Sequence, residues 1–514
     1  MDEIRDISIS QTPPSIPTPV AKINRLPPEM LAAIFVYLSK QAPGRVVPNF
    51  VQDLISVTHV CRSWRQAAIT APELWNEVTM TNLEMIKVFL KRSGAVPLNV
   101  SLRLSSETED DELFKAVVPH THRFRRLLAF DHVGLIRTDV NLIPFTKPAP
   151  LLENLVIRFL MGNQPAVLFD DQTPRLHQLV LYSRGFWLQN HLGNLTSLSV
   201  TLFYNTWAHS DLLPFFDMLR RCPVLEEMYL SWSGWGPHLV PPQTPTVPLY
   251  SLRKLFLRSL RVDVIKYFLH TFDLRTNGTA VHLSGVDPSH EANSTISDIQ
   301  TMFPNANPTQ PSLVSSTKLE LIFHSRPRTV ILHAVGPGFS MRIDLCPDRF
   351  TSLNDVSYMF QNVFPSVKEL WVRGSSRLDT KLVGIDHFTA LEKLVIIGRG
   401  SKIARNFRQA LSPDPSGVLP CPLLSTIDCH GDSSEMREVF LLLRTRSNAG
   451  RRLEKVRVPS DFIPLPADIA SCVGDVGNLD IPPRILHMYA MELPEFCFSE
   501  RVHQWWEPWK SRLN

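Results

Sequence analysis

Apolar residues recur along the chain at two different periods. Between Ile23 and about Val78 the period is helical. Pro27-Pro28-Glu29 reads as a helix start, because Pro is tolerated in the first turn and an acid there suits the helix dipole. Leu31, Ile34, Phe35 and Leu38 then stand at i, i+3, i+4 and i+7, on one helix face. Pro43, Gly44 and Pro48 mark a loop. Asp53 is the expected cap of a second helix carrying Leu54, Val57, Cys61 and Trp64. Pro72 stops that pattern, and Leu74-Trp75 follows as an apolar anchor.

From about residue 97 the spelling becomes apolar-x-x-apolar-x-apolar. It recurs as Leu152/Leu155/Ile157, Leu176/Leu179/Leu181, Leu195/Leu198/Val200, Leu225/Met228/Leu230 and Leu252/Leu255/Leu257. It continues as Val367/Leu370/Val372, Leu391/Leu394/Ile396, Leu424/Ile427/Cys429 and Leu453/Val456/Val458, with a weaker copy at Phe124/Leu127/Ala129. Alternation at period two predicts one strand per copy. A single such strand cannot bury its apolar face alone, so the copies are expected to stack into one continuous core. Residues 234–248 and 275–317, rich in Pro, Asn, Ser and Thr, interrupt the array. Eight positions after each leading residue stand Leu160, Arg184, Phe203, Ser233, Leu260, Ser375, Arg399, Asp432 and Asp461, where a regular leucine-rich repeat has Asn. The usual Asn ladder is therefore missing, and the return segments are expected to be helical and uneven.

Composition narrows the class. Of 514 residues, 44% are hydrophobic and 20% charged, and the net charge is +4. That excess is too small and too dispersed to favour nucleic acid. Seven scattered cysteines contain no C-x-x-C pair, which points to a reduced, intracellular chain, cytoplasmic or nuclear, without a zinc knuckle. No apolar run approaches the ~18 residues of a spanning helix, so no membrane association is expected. Residues 1–22, with four prolines among Ser, Thr and Gln, read as a disordered leader. His120 and His122 lack a completing acid or Cys; Gly336-Pro337-Gly338 and Gly398-Arg399-Gly400 read as turns; the acidic run Asp110-Asp111-Glu112 reads as solvated. No catalytic constellation and no cofactor site emerges. Trp505, Trp506 and Trp509 fit a segment that caps the open end of the array.

The residues Leu26-Pro27-Pro28-Glu29, Ile34-Phe35-x-x-Leu38, Val57-x-x-Val60-Cys61-Arg62-x-Trp64 and Pro72-x-Leu74-Trp75 together resemble the F-box. The layout, with a Pro-rich leader, this segment and irregular leucine-rich copies, is similar to a fungal-type family of F-box proteins. The resemblance implies an α/β protein: a small N-terminal three-helix F-box followed by a curved leucine-rich-repeat-like solenoid. Its expected limits are a leader at 1–22, the F-box at 23–78, the repeat region at 97–490 and a capping segment at 491–514.

The resemblance also implies a function. The chain would be the non-catalytic substrate-recognition subunit of a Skp-cullin-F-box ubiquitin ligase. It would bind a Skp-type adaptor directly, a cullin scaffold indirectly, and a protein substrate through the repeats. Leu26, Pro27, Ile34, Leu38, Val57, Cys61 and Trp64 would serve the adaptor interface or the packing behind it. Periodicity alone leaves them equally readable as the core of an ordinary helical domain. Side chains between the strand leucines point to the opposite sheet face. There Tyr182, Tyr229, Phe256, Arg258, Trp371 and Arg373 are the residue types that dominate binding surfaces, and they are the expected substrate contacts. The alternative is a non-degradative F-box scaffold or interaction module.

Overall fold

The structure is a computed structural model. It describes residues 26–40, 48–79, 82–104, 108–131, 145–158, 167–183, 187–203, 209–233, 247–260, 262–274, 278–286, 316–325, 328–336, 339–345, 364–374, 385–398, 403–414, 416–479 and 491. The proposed leader, the Trp505–Trp509 cluster and most of the proposed cap lie outside these residues. The chain forms two compact units. One holds residues 1–102 and 107–125, the other 103–106 and 126–514. The first unit thus continues past the composition boundary at 78–97.

In the first unit, helices α1 (Pro28–Lys40), α2 (Pro48–Val60) and α3 (Arg62–Ile69) pack together. Helix α2 begins at Pro48, so Asp53 lies inside it and does not cap it. Proline suits that first position, where its missing N–H has no helical acceptor to lose. Leu31 and Phe35 of α1, Leu54 of α2 and Ala67 and Ala68 of α3 are buried, and the Phe35 and Trp64 rings meet at 5.1 Å. The turn Pro72–Trp75 drives Trp75 into the unit: its Nε1–H donates to the Ala68 carbonyl at 2.8 Å, with Phe89 at its edge. Strand β1 (Glu77–Thr79) pairs in parallel with β2 (Leu98–Leu104), and α4 (Leu83–Arg92) connects them, capped by the Asn82 side chain. Helix α5 (Thr108–Val117) follows. Arg123, buried, donates to the Val96 carbonyl and Ser93 Oγ, which ties residues beyond 117 to this unit.

The second unit is built on one large sheet. Strands β3 (Phe124–Asp131), β4 (Asn154–Arg158), β5 (Gln178–Ser183), β6 (Ser197–Phe203) and β7 (Glu227–Ser233) pair side by side in parallel. A short pair, β8 (Val247–Pro248) with β10 (Phe272–Asp273), stands apart from the sheet. β9 (Lys254–Arg258) joins β7, and β11 (Thr279–Val286) joins β9. Then comes a departure from one strand per copy. β12 (Lys318–Ser325), β13 (Arg328–Gly336) and β14 (Phe339–Leu345) form an antiparallel meander in the order β11-β14-β13-β12. Parallel pairing resumes from β12 through β15 (Glu369–Gly374), β16 (Lys393–Gly398), β17 (Thr426–His430), β18 (Leu453–Val458) and β19 (Val473–Asn478).

The recurring triplets lie in these strands in register. Leu155, Leu179, Leu198, Met228, Leu255, Leu370, Leu394, Ile427 and Val456 are all buried on one face. Before several strands the leading apolar residue closes a turn onto the residue three positions earlier: Leu152 onto Ala149, Leu176 onto Thr173, Leu225 onto Cys222, Val367 onto Phe364, Leu424 onto Cys421. Pro150, Pro174, Pro223, Pro365 and Pro422 occupy the second position of these turns, where the fixed φ of proline is favoured. The next two amides then share one carbonyl of the preceding strand's entrance. Thr196 and Ser197 share His177, Glu226 and Glu227 share Thr196, and Glu392 and Lys393 share Lys368.

The missing Asn ladder is replaced piecemeal. Asn190 brackets the Leu168 backbone, Arg221 donates to the Leu188 and Gln189 carbonyls, and Arg446 donates to those of Pro420 and Cys421. Among the described residues, α6 (His209–Arg220), α7 (Val262–Thr271) and the helices Ile403–Ala410 and Ser433–Asn448 lie in return segments. Phe215 and Phe216 of α6, Phe268 of α7 and Trp187 form a buried aromatic layer.

Candidate interaction surfaces

In the first unit, α1 divides its apolar residues between two faces. Leu31 and Phe35 are buried, whereas Met30 and Tyr37 are exposed (53% and 59%) with Ile34 half-buried. Met30, Ile34 and Tyr37 stand at i, i+4 and i+7, so they share the outward face of the helix. On α2, Ile55 and Val60 are exposed and Val57 is half-buried. Large apolar side chains are thus left outside on both helices, and such clustered exposure makes a candidate binding surface. Of the residues expected at the adaptor, Pro27 is exposed, Leu26, Cys61 and Trp64 are half-buried, and Trp64 packs on Phe35. The Leu38 side chain lies outside the described residues. The strongest members of the patch, Met30, Tyr37, Ile55 and Val60, were not among those expected. The helical stripe directs attention to the buried face, but the i, i+4, i+7 spacing of Met30, Ile34 and Tyr37 was readable.

In the second unit, the side chains that alternate with the leucines do share the opposite face. Its middle row runs Val156, Val180, Ser199, Tyr229, Phe256, His282, Arg342, His333, Glu320, Trp371, Val395, Asp428 and Arg457 across paired strands. The expected substrate contacts fare differently along it. Arg258 is exposed, and Tyr182 and Tyr229 are half-buried. Phe256, Trp371 and Arg373 are buried, which corrects their reading as open contacts. Phe256 is covered because it stacks between Tyr229 at 4.9 Å and His282 at 4.3 Å. Trp371 is packed with Val335, Val395, Ile397 and Met491.

Between them lies a buried charged cluster that no sequence pattern announced. His282 Nε2 meets Asp344 at 3.0 Å, His333 Nδ1 meets Glu320 at 2.8 Å, Arg342 donates to Asp344, and Arg373 lies 3.6 Å from Glu320. Burial pushes the His282 imidazole down to about 4 despite its carboxylate partner. Burial opposes ionisation of Asp344, but the hydrogen bonds and charges of His282 and Arg342 together hold its carboxyl well below the usual range. The cluster spans β11, the antiparallel meander and β15, with Glu320, His333, Arg342 and Asp344 on the meander itself. Strict alternation over 339–345, and the alternation of Lys318 to Leu321, could have revealed two of these strands. Among the described residues no group of His, Cys, Asp and Glu is arranged to hold a metal ion, and no helix is long and apolar enough to cross a membrane. The described thiols of Cys222 and Cys421 are buried and pushed up to about 12 by that burial, which makes them inert toward nucleophilic chemistry.

Comparison with protein families bears on the helical unit. Residues 23–81 match the F-box-like family model. They carry an F-box-like domain. The match covers α1 to α3, the Trp75 turn and β1, and so includes both exposed helix faces. F-box domains bind Skp-type adaptors, which supports that partner. The F-box-like domain also supports a role in SCF-type ubiquitin-ligase substrate recognition or in protein interaction, and proteins with such domains are generally adaptor subunits without a catalytic site of their own. The comparison with curated proteins finds no match.

Proposed function

We propose that this chain is the substrate-recognition subunit of a Skp-cullin-F-box ubiquitin ligase. The F-box-like domain docks a Skp-type adaptor, which links the chain indirectly to a cullin scaffold. The second unit, read as a leucine-rich-repeat-like solenoid, presents the substrate surface. The observation that carries the first half is the outward row Met30, Ile34 and Tyr37 on α1 beside Ile55 and Val60 on α2. Leu26, Pro27, Val57, Cys61 and Trp64 flank or back that row. Substrate contact is assigned to the half of the sheet face carrying Tyr182, Tyr229 and Arg258, with Phe256 packed beside Tyr229 on the next strand.

Anchors of this kind cost about 2 kcal/mol or more on truncation, roughly thirtyfold in affinity. The test is titration of a Skp-type adaptor against the full chain and against Ile34→Ala/Tyr37→Ala. The double variant should bind at least about thirtyfold more weakly with its melting curve unchanged. Binding at wild-type strength would remove the adaptor assignment. Co-purification of a cullin with the wild-type chain separates the ligase from the alternative, a non-degradative F-box scaffold.

A further inference from the structure

The half of the sheet face assigned to substrate carries a second row of side chains beyond the one that holds Tyr229. Strand register places Tyr182, Thr201, Ser231, Arg258 and Ser284 in line on β5, β6, β7, β9 and β11. Each stands two residues after the middle-row residue of its own strand, so it shares that face. Arg258 is exposed, and Tyr182, Thr201, Ser231 and Ser284 are half-buried.

The row is rich in donors, and its positive charge is uncompensated. Among the described residues Arg258 has no ion-pair or hydrogen-bond partner, and neither do the hydroxyls of Thr201, Ser231 and Ser284. Cations elsewhere on the same face are neutralised. Lys254 meets Glu227 at 2.9 Å, Lys393 meets Glu369 at 2.6 Å, Arg342 meets Asp344 at 2.8 Å, and Arg457 pairs with Asp428. The next residue in the row, Asp344 on β14, is already held by His282 and Arg342. The backbone under Arg258 is pinned to β11, because the Ser259 N–H donates to the Ser284 carbonyl at 2.7 Å. A guanidinium offers N–H donors and no acceptor, and the flanking strands put a serine about 4.8 Å to either side of it.

Such a set of donors fits an oxyanion held by charge-assisted hydrogen bonds. One uncompensated guanidinium matches the single charge of a carboxylate. A phosphate, with about two charges, calls for clustered arginines. Tyr182 stands at the other end of the row. At the usual strand spacing it lies about 14 Å from Arg258, which an extended peptide covers in about four residues.

We propose that the face from Tyr182 to Arg258 selects protein segments carrying an aspartate or glutamate about four residues from an aromatic or large apolar side chain. The carboxylate binds Arg258 between Ser231 and Ser284, and the apolar side chain lies on Tyr182 and Tyr229. This names the substrate class of the face already assigned and rests on that assignment.

The probe is a bead library of synthetic nonapeptides, attached through their C-termini and containing phosphoserine beside the natural residues, screened against the full chain. Captured peptides should carry Asp or Glu about four residues from Phe, Tyr, Trp or Leu. For one such peptide, fluorescein-labelled and measured by anisotropy, Arg258→Ala should weaken binding at least about tenfold with an unchanged melting curve. Arg258→Glu, screened afresh, should exchange the acidic preference for Lys or Arg. Tyr182→Ser and Tyr229→Ser should weaken the same peptide. Unchanged affinity in Arg258→Ala, acidic selection retained by Arg258→Glu, or phosphoserine preferred over Asp and Glu would each overturn the carboxylate inference. If the tyrosine variants still weaken capture in those cases, the sheet-face reading stands. Capture indifferent to the tyrosines removes that reading as well, and a library with no captured peptide would overturn both.

Discussion

The two compact units treat polarity in opposite ways. The F-box-like domain, with few residues to spare for a core, leaves Met30, Tyr37, Ile55 and Val60 in solvent. The sheet unit encloses Glu320, His282, His333, Arg342, Asp428 and Arg446. Neither choice follows from hydrophobicity alone. An apolar side chain left outside is tolerated when a partner covers it in the working assembly. A charge taken inside is tolerated only when neighbours satisfy it, because desolvating an unpaired charge costs several kcal/mol. An exposed apolar row is thus the notable feature of the F-box-like domain, and a buried polar network that of the sheet unit.

The sharpest way to test that contrast is to break a buried polar group. Arg446 is completely buried and donates to two backbone carbonyls at 3.0 Å. Arg446→Ala would leave those acceptors and a cavity behind, at a cost of about 3–5 kcal/mol. Urea unfolding should show one transition moved strongly and the other unmoved. A shift below about 1 kcal/mol would mean that the network is ornamental.

Acid should come next in size. The folded-state value of His282 lies near 4, below its ordinary 6.5. The unfolded chain takes up that proton first as pH falls, so the stability is intact above about 6.5 and lost progressively toward 4. The groups facing the imidazole are Asp344, Arg342 and His333, with the Phe256 ring against it. The full effect is about 3 kcal/mol. His282→Gln should flatten this part of the stability profile, measured by urea midpoints at pH 7, 6 and 5. The F-box-like domain has no histidine as buried as His282 among its described residues, so its own transition should move less over the same range.

The Ile34→Ala/Tyr37→Ala pair then sharpens the comparison from the other side: a loss of about 2 kcal/mol in adaptor binding with about 0.5 kcal/mol or less in folding stability. Smallest of all is Lys87→Ala on α4. Its pair with Glu84 at 2.7 Å is solvent-exposed, and losing it should cost about 0.5 kcal/mol or less. A larger loss would show that surface ion pairs matter more in this unit than its burial pattern implies.

Much of this architecture was written in local patterns. The i, i+3, i+4, i+7 stripe placed α1, and the leucine triplets placed β4 to β7, β9 and β15 to β18 on one buried face. Even the weak copy at Phe124/Leu127/Ala129 is a strand with all three residues buried. These succeed because side-chain direction within one element depends only on its own period. Prolines stand before several strands in the sequence too, and Pro150, Pro174, Pro223, Pro365 and Pro422 each sit in a turn closed by the leading apolar residue of the copy.

What stayed hidden involves residues far apart in the chain. Periodicity says which face a residue occupies but not what lies over that face. Trp371 and Phe256 alternate correctly, yet Met491 covers one, while Tyr229 and His282 sandwich the other. The Asp344 carboxylate meets an imidazole 62 positions away, a pairing set by the order β11-β14-β13-β12 and by no local motif. The sequence by itself determined the elements, their faces and the F-box signature, because those depend on neighbours within a few residues. Only the tertiary structure decided which faces remain open, because burial is a property of every chain segment that reaches the same place.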